Sequence, residues 1–348
     1  MDRILLHTDE LPDYAHMILA VAWTLTRVEY IEAAPGLFYD KDTRFAGVFT
    51  KLHALSLVDY EKVLMLDIDL ALTFCPDELF GLPAPAAMGR SISGQNHGTK
   101  LNHRGIFAGE IVEPGHIAWG QHGGINAGVM LLEPNEREYM SALREVQTPL
   151  HPERIPGSGP EQDYLSRLFA PYWTHISVSW NYQLHRTFHA LEAEVYHAAV
   201  HFDPGQSWTP ERMSIGVEDI RIFHFSGTLK MWHRDYQDGE TDESFAKRLL
   251  RDCQDFRYRM WVDREGSQEE YAEHGVRSAD ASNNVSERCF YSIHGDVDVT
   301  EIVQKGVQKA ISAACRAVKS WRQDLEQLQT RFPGILKELQ THYPNIPS

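Results

Sequence analysis

The stretch Tyr60 to Phe80, YEKVLMLDIDLALTFCPDELF, sets an apolar run, Val63 to Leu66, against two carboxylates one residue apart, Asp67 and Asp69. Val, Leu, Met and Leu in succession read as a buried strand of an α/β sheet. Charges do not belong inside such a strand, so it is expected to end where the aspartates begin. Something at that end must offset their desolvation. Side chains alternate along extended chain, so a D-x-D pair shares one face. At the carboxyl end of a strand in an open α/β sheet, that face looks toward the ligand crevice. Two hard oxygen donors there suit Mg or Mn and the phosphate oxygens such an ion can bridge.

Working outward, RILLHT and RVEYIEA read as short strands flanking a helix-compatible stretch, DYAHMILAVAWTL. Phe49, Leu52, Leu55 and Leu57 keep helical spacing just before the KVLMLD strand. DELFGLPAPAAM predicts a helical turn broken by prolines and then a strand. From about Gly94 to Gly124 the chain turns to Gly, His, Asn and Gln without period and reads as a long loop. GGINAGVMLLEPN is strand-like, PEQDYLSRLFA helical, and IRIFHFSGTLKMW a strand running into a loop. Strands alternating with helices predict a mostly parallel α/β sheet with flanking helices.

After Trp232 the character changes. Residues 1–235 are expected to form one domain and 236–348 a helical extension, with a polar linker around 264–288. Val303, Val307, Ile311, Cys315, Val318, Leu325, Leu328 and Phe332 recur at helical steps up to Pro333. That stripe packs on its own domain or joins a partner helix, including one from a second copy.

The 348 residues are 43% hydrophobic and carry a net charge of -16, which disfavours a general nucleic-acid or anionic-membrane binder. No apolar run approaches the length of a membrane span. The start, MDRILLHTDELPDY, does not read as a signal peptide. Cys75, Cys253, Cys289 and Cys315 are scattered and suit reduced thiols in the cytoplasm.

Three further stretches bear on chemistry. HFSGTLKMW, His224 to Trp232, offers a nitrogen ligand, a glycine and a lysine, although a core histidine and a surface lysine would look the same. In GGINAGVMLLEP, Gly123, Gly124 and Gly128 permit close approach, and Asn126 offers an amide for hydroxyl groups. Glu161, Gln162 and Asp163 open a helix, where acids need no function.

Together these segments resemble the glycogenin-like retaining glycosyltransferases, in that family's order, over roughly Arg3 to Trp232. The resemblance implies a Rossmann-like, A-type glycosyltransferase fold and a UDP-sugar donor giving up a glucose or galactose. Asp67, Asp69 and His224 would then hold Mn (or Mg), and Lys230 and Gly227 would meet the β-phosphate. Lys51, Asn126, Ala127 and Gly128 would line the donor. Gln162, with Glu161 or Asp163, would stand beside the anomeric carbon, and Asn181, Tyr182 and Gln183 would form an acceptor wall. The acceptor could be a protein, a glycan, a lipid or a polyol.

Two departures stand out. EQD replaces the family's usual DQG, and the chain opens at what looks like the family's second strand. A missing base-binding strand would favour a non-catalytic binding or scaffold protein, whereas an upstream continuation would restore the enzyme and could add a Golgi anchor. Phosphohydrolase chemistry also uses D-x-D carboxylates, but the later segments do not fit it.

Overall fold

A computed structural model describes residues 1–8, 15–16, 19–34, 47–90, 96–101, 111–113, 116–117, 124–149, 160–187, 190–191, 194, 211–226, 230–233, 237, 239–251, 300–332 and 334. The chain divides into two compact units. The first comprises Met1–Asp67, Pro76–Ser91 and Gln95–Ser177; the second comprises Ile68–Cys75, Ile92–Gly94 and Val178–Ser348.

The first unit is built on a four-stranded sheet. Its strands are β3 (Val63–Leu66), β5 (Ala86–Gly89), β8 (Ile125–Leu132) and β9 (Thr174–His175), in the order β3-β8-β5-β9. All eight residues of β8 are buried, which explains its unbroken apolar sequence. β8 runs antiparallel to β3, with Leu66 opposite Val129, and antiparallel to β5; β9 is parallel to β5. The α/β class read from the sequence is therefore seen directly, with pairing more mixed than alternation implies. An unbroken apolar run reports burial on both faces and carries no information on strand direction.

Phe49, Leu52 and Leu55 are buried on a 3-10 helix, Val48–Ser56, while Leu57 stays half-buried. They share a core with Ala142 and Val146 of α1 (Glu136–Gln147), Leu165 of α2 (Pro160–Leu168) and Trp173. Asn135 caps α1 by accepting the Glu138 N–H at 3.1 Å. Near the start of the chain, β1 (Ile4–His7) and β2 (Thr24–Arg27) pair in parallel. The second strand thus begins earlier than RVEYIEA predicted. The expected loop also holds strand pairing: β6 (Ile111–Glu113) and β7 (His116–Ile117) run antiparallel.

The second unit contains a three-stranded sheet ordered β10 (Tyr182–Gln183), β11 (Ile222–His224) and β4 (Leu70–Leu72). Among its described residues are the α-helices α3 (Glu211–Ser214), α4 (Asp242–Arg251) and the long α5 (Thr300–Arg331). The stripe read from the sequence is buried at Ile311 and Val318 and only half-buried at Val307, Cys315, Leu325, Leu328 and Phe332. The tightest face runs instead through Gly306, Ala310, Ala313, Ala314 and Ala317, where small side chains let neighbours approach closely. Arg316 donates to the Val217 and Ile220 carbonyls, and Lys309 to those of Met213 and Ile215. The helix packs on its own unit. The polar linker lies outside the described residues.

Candidate active site

β3 stops at Leu66, and Asp67 to Asp69 form a bend before β4 begins at Leu70. The D-x-D is where the chain leaves one sheet and enters another, so the two aspartates do not share an extended strand. The bend also explains why Ile68 between them is 94% exposed.

The pairing of β11 with β4 sets His224 opposite Leu70 and lets the Phe225 N–H donate to the Asp69 carbonyl at 2.9 Å. His224 Nε2 is consequently 3.5 Å from Asp69 Oδ1, while its Nδ1 is 2.7 Å from Asn181 Oδ1. Lys230 reaches the Asp69 carboxylate and the Phe225 carbonyl. Burial works to raise the Asp69 pKa, but His224 and Lys230 outweigh it and hold the carboxyl well below the ordinary range. One ligand atom each from Asp67, Asp69 and His224 lies within 4.8 Å of the others.

In the first unit, the three side chains opening α2 are each tied to a different element. Glu161 accepts from Lys51 of the 3-10 helix at 2.9 Å, and Lys51 also meets Asp67 at 2.8 Å. Burial opposes charge on Lys51, yet the two carboxylates dominate and raise its pKa above the usual lysine value. Gln162 accepts from Asn126 of β8 in a long contact of 3.4 Å. Asp163 is ion-paired with Arg90, just beyond β5, and both side chains are nearly fully buried. Asn126 accepts the Gly128 N–H at 3.0 Å, and the Gly128 carbonyl accepts the Asp67 N–H at 2.9 Å. β8 thereby supports the aspartate bend from beneath. Gly124 has φ +84°, and a β-carbon there would lie 2.7 Å from Ser166 Oγ, so only glycine suits this position.

The fold thus brings Asp67, Asp69 and His224 together, joins Lys51 to Glu161 and Asn126 to Gln162, and sets Lys230 on Asp69. The Ala127 side chain is buried in β8, which leaves only its backbone for a ligand. Gly227 lies outside the described residues. The acceptor wall read from the sequence does not present these side chains: Asn181 and Tyr182 are fully buried and Gln183 nearly so. Alternation explains it. In Trp180–Gln183, Trp180 and Tyr182 enter the core while Asn181 and Gln183 face polar partners on the neighbouring segment, His224 and Ser226. The W-N-Y-Q pattern carried that signal. Arg90 had none, because its significance depends on a partner 73 residues away.

The sequence model of glycosyl transferase family 8 matches residues 40–236. The chain belongs to this family. Its α/β fold agrees with the class the resemblance implied. This family member is 31% identical over 237 residues to an uncharacterized protein of Acanthamoeba polyphaga mimivirus, covering 67% of this chain and 72% of that one. It is 26% identical over 148 residues to inositol phosphorylceramide glucuronosyltransferase 1 of Arabidopsis thaliana, covering 42% of this chain but only 21% of the plant protein. Among solved structures, the glycosyltransferase GlyE of Streptococcus pneumoniae TIGR4 is similar at 19% identity with a TM-score of 0.39, covering 76% of this chain and 57% of GlyE. The galactosyltransferase LgtC, solved with donor and acceptor sugar analogs, is similar at 16% identity with a TM-score of 0.35, covering 73% and 96% of the two chains. Among the described residues, no helix is long and apolar enough to cross a membrane.

Proposed function

We propose that the protein transfers a hexose, glucose or galactose, from a UDP-sugar to an acceptor hydroxyl with retention of anomeric configuration and dependence on Mn. The observation that carries this reading is the convergence of Asp67, Asp69 and His224 in a family 8 chain. Two carboxylates and an imidazole form a mixed oxygen and nitrogen donor set that fits Mn better than the all-oxygen surroundings Mg prefers. When bound, the ion supplies Lewis-acid help to the departing diphosphate.

The chain's own residues supply the rest. Lys230, beside Asp69, sets a fixed positive charge where phosphate charge develops. Lys51 links Asp67 to Glu161, tying the metal-ligand bend to the helix that carries Gln162. In this reading Gln162 and Glu161 stand beside the sugar, Asn126 orients Gln162, and Asp163 supports the helix from within its buried pair. Residues 1–235 would carry transfer and 236–348 would form the helical extension. A cytoplasmic setting belongs to the same proposal and agrees with Cys75 and Cys315 being free thiols.

Purified protein is expected to release UDP from UDP-glucose or UDP-galactose when Mn is present and to stop when it is chelated. Asp69→Asn should lower release by about 100-fold or more. Folded full-length protein that releases no UDP from either donor would overturn the assignment and leave the non-catalytic scaffold.

A further inference from the structure

His224 can serve as a metal ligand only through a nitrogen lone pair, and a neutral imidazole carries one proton on either of its two nitrogens. Nδ1 lies 2.7 Å from Asn181 Oδ1 and Nε2 lies 3.5 Å from Asp69 Oδ1. Both oxygens can only accept, but 2.7 Å is a hydrogen-bond distance and 3.5 Å is too long for one, so the single proton of a neutral ring belongs on Nδ1, facing Asn181. His224 is 3% exposed and Asn181 0%, so bulk water does not compete for that hydrogen bond. Asn181 is itself anchored, its backbone N–H donating to the Val178 carbonyl at 3.1 Å. Two residues on, Gln183 of β10 donates to Ser226 Oγ at 3.1 Å. The seam between β10 and β11 is therefore built to hold polar side chains in fixed orientation.

We propose that Asn181 is a positioning residue for the metal site, holding His224 with its proton on Nδ1 and its Nε2 lone pair toward Asp69. It would act on the site only through His224. Outer partners of this kind fix ligand tautomer and ring orientation, and their loss typically costs 10- to 100-fold in metal affinity. The inference rests on the metal reading proposed above, but its central statement concerns the tautomer of the protein alone.

Nitrogen-15 chemical shifts of His224 in the labelled, metal-free protein, read at a pH where the ring is neutral, test it directly. A protonated Nδ1 and a bare Nε2 are expected; a proton on Nε2 overturns the proposal. Mn titrations followed by the electron paramagnetic resonance of free Mn supply the second arm. Asn181→Leu should weaken Mn binding by about 10- to 100-fold, whereas Asn181→Asp, which keeps an acceptor at that position, should stay within a few-fold of the parent. Equal losses in both variants would mean that Asn181 serves only to fill space. Parent protein that binds no Mn removes the metal reading itself, and the nitrogen shifts still decide the tautomer.

Discussion

Arg90 and Asp163 show how much one buried pair can determine. With side chains 8% and 3% exposed, each removes most of the water that would otherwise solvate the other. The pair fastens the start of α2 to the end of β5, one residue from Gln162. Arg90→Ala removes the cation of this buried pair and is expected to lower unfolding stability by about 3–5 kcal/mol. Replacing both residues with alanine should cost less than the sum of the single losses, which a double-mutant cycle in urea would measure. Strict additivity would show that the pair is not coupled. Asp163 illustrates what one position in a sequence can conceal: EQD sets two acids close together, and their partners, Lys51 for Glu161 and Arg90 for Asp163, come from elsewhere in the chain.

At the scale of elements, α4 shows charge fixing a helix entry. Glu240 stands just before it and accepts from Arg248 Nε at 2.9 Å, from Arg248 Nη2 at 2.7 Å and from the Gln237 N–H at 3.0 Å. The Arg248 hydrogen bonds hold the Glu240 pKa below its ordinary value against the opposing effect of burial. A lowered carboxyl pKa contributes stability that is complete above the ordinary glutamate range and drains away as pH falls through the folded value. Glu240→Gln should therefore cost about 1 kcal/mol at neutral pH. That difference should shrink on acidification, as denaturant titrations between pH 7 and pH 3 would report. A penalty unchanged at pH 3 would contradict the ionic origin. The period of α5 was legible to its last turn, yet its tightest contact was not. The eye follows branched side chains, while packing at Gly306, Ala310 and Ala314 selects the smallest ones.

Across the whole molecule, α5 comes from the far end of the chain and completes the second unit. It buries its alanine face and satisfies four carbonyls, those of Met213, Ile215, Val217 and Ile220. A buried carbonyl left without a partner costs about 1–3 kcal/mol. A chain ending at residue 299 is expected to lose cooperative unfolding of this unit and to bind a hydrophobic dye such as ANS. A truncated protein that melts like the full chain without binding the dye would refute this role for the helix.

The sequence by itself determined the class of fold, the strand that ends at the aspartates and the residue types available for chemistry. Those features rest on local pattern: an apolar run, a helical period, a charge where burial should continue. The tertiary structure alone decided that Asp67 and Asp69 lie on a bend between two sheets, that Asn181 stands behind His224, and that Asp163 answers to Arg90. Each of these depends on strand register or on a contact between residues far apart in the chain. Hydropathy and spacing are local quantities, and they leave such pairings to be settled by how the sheets and helices close on one another.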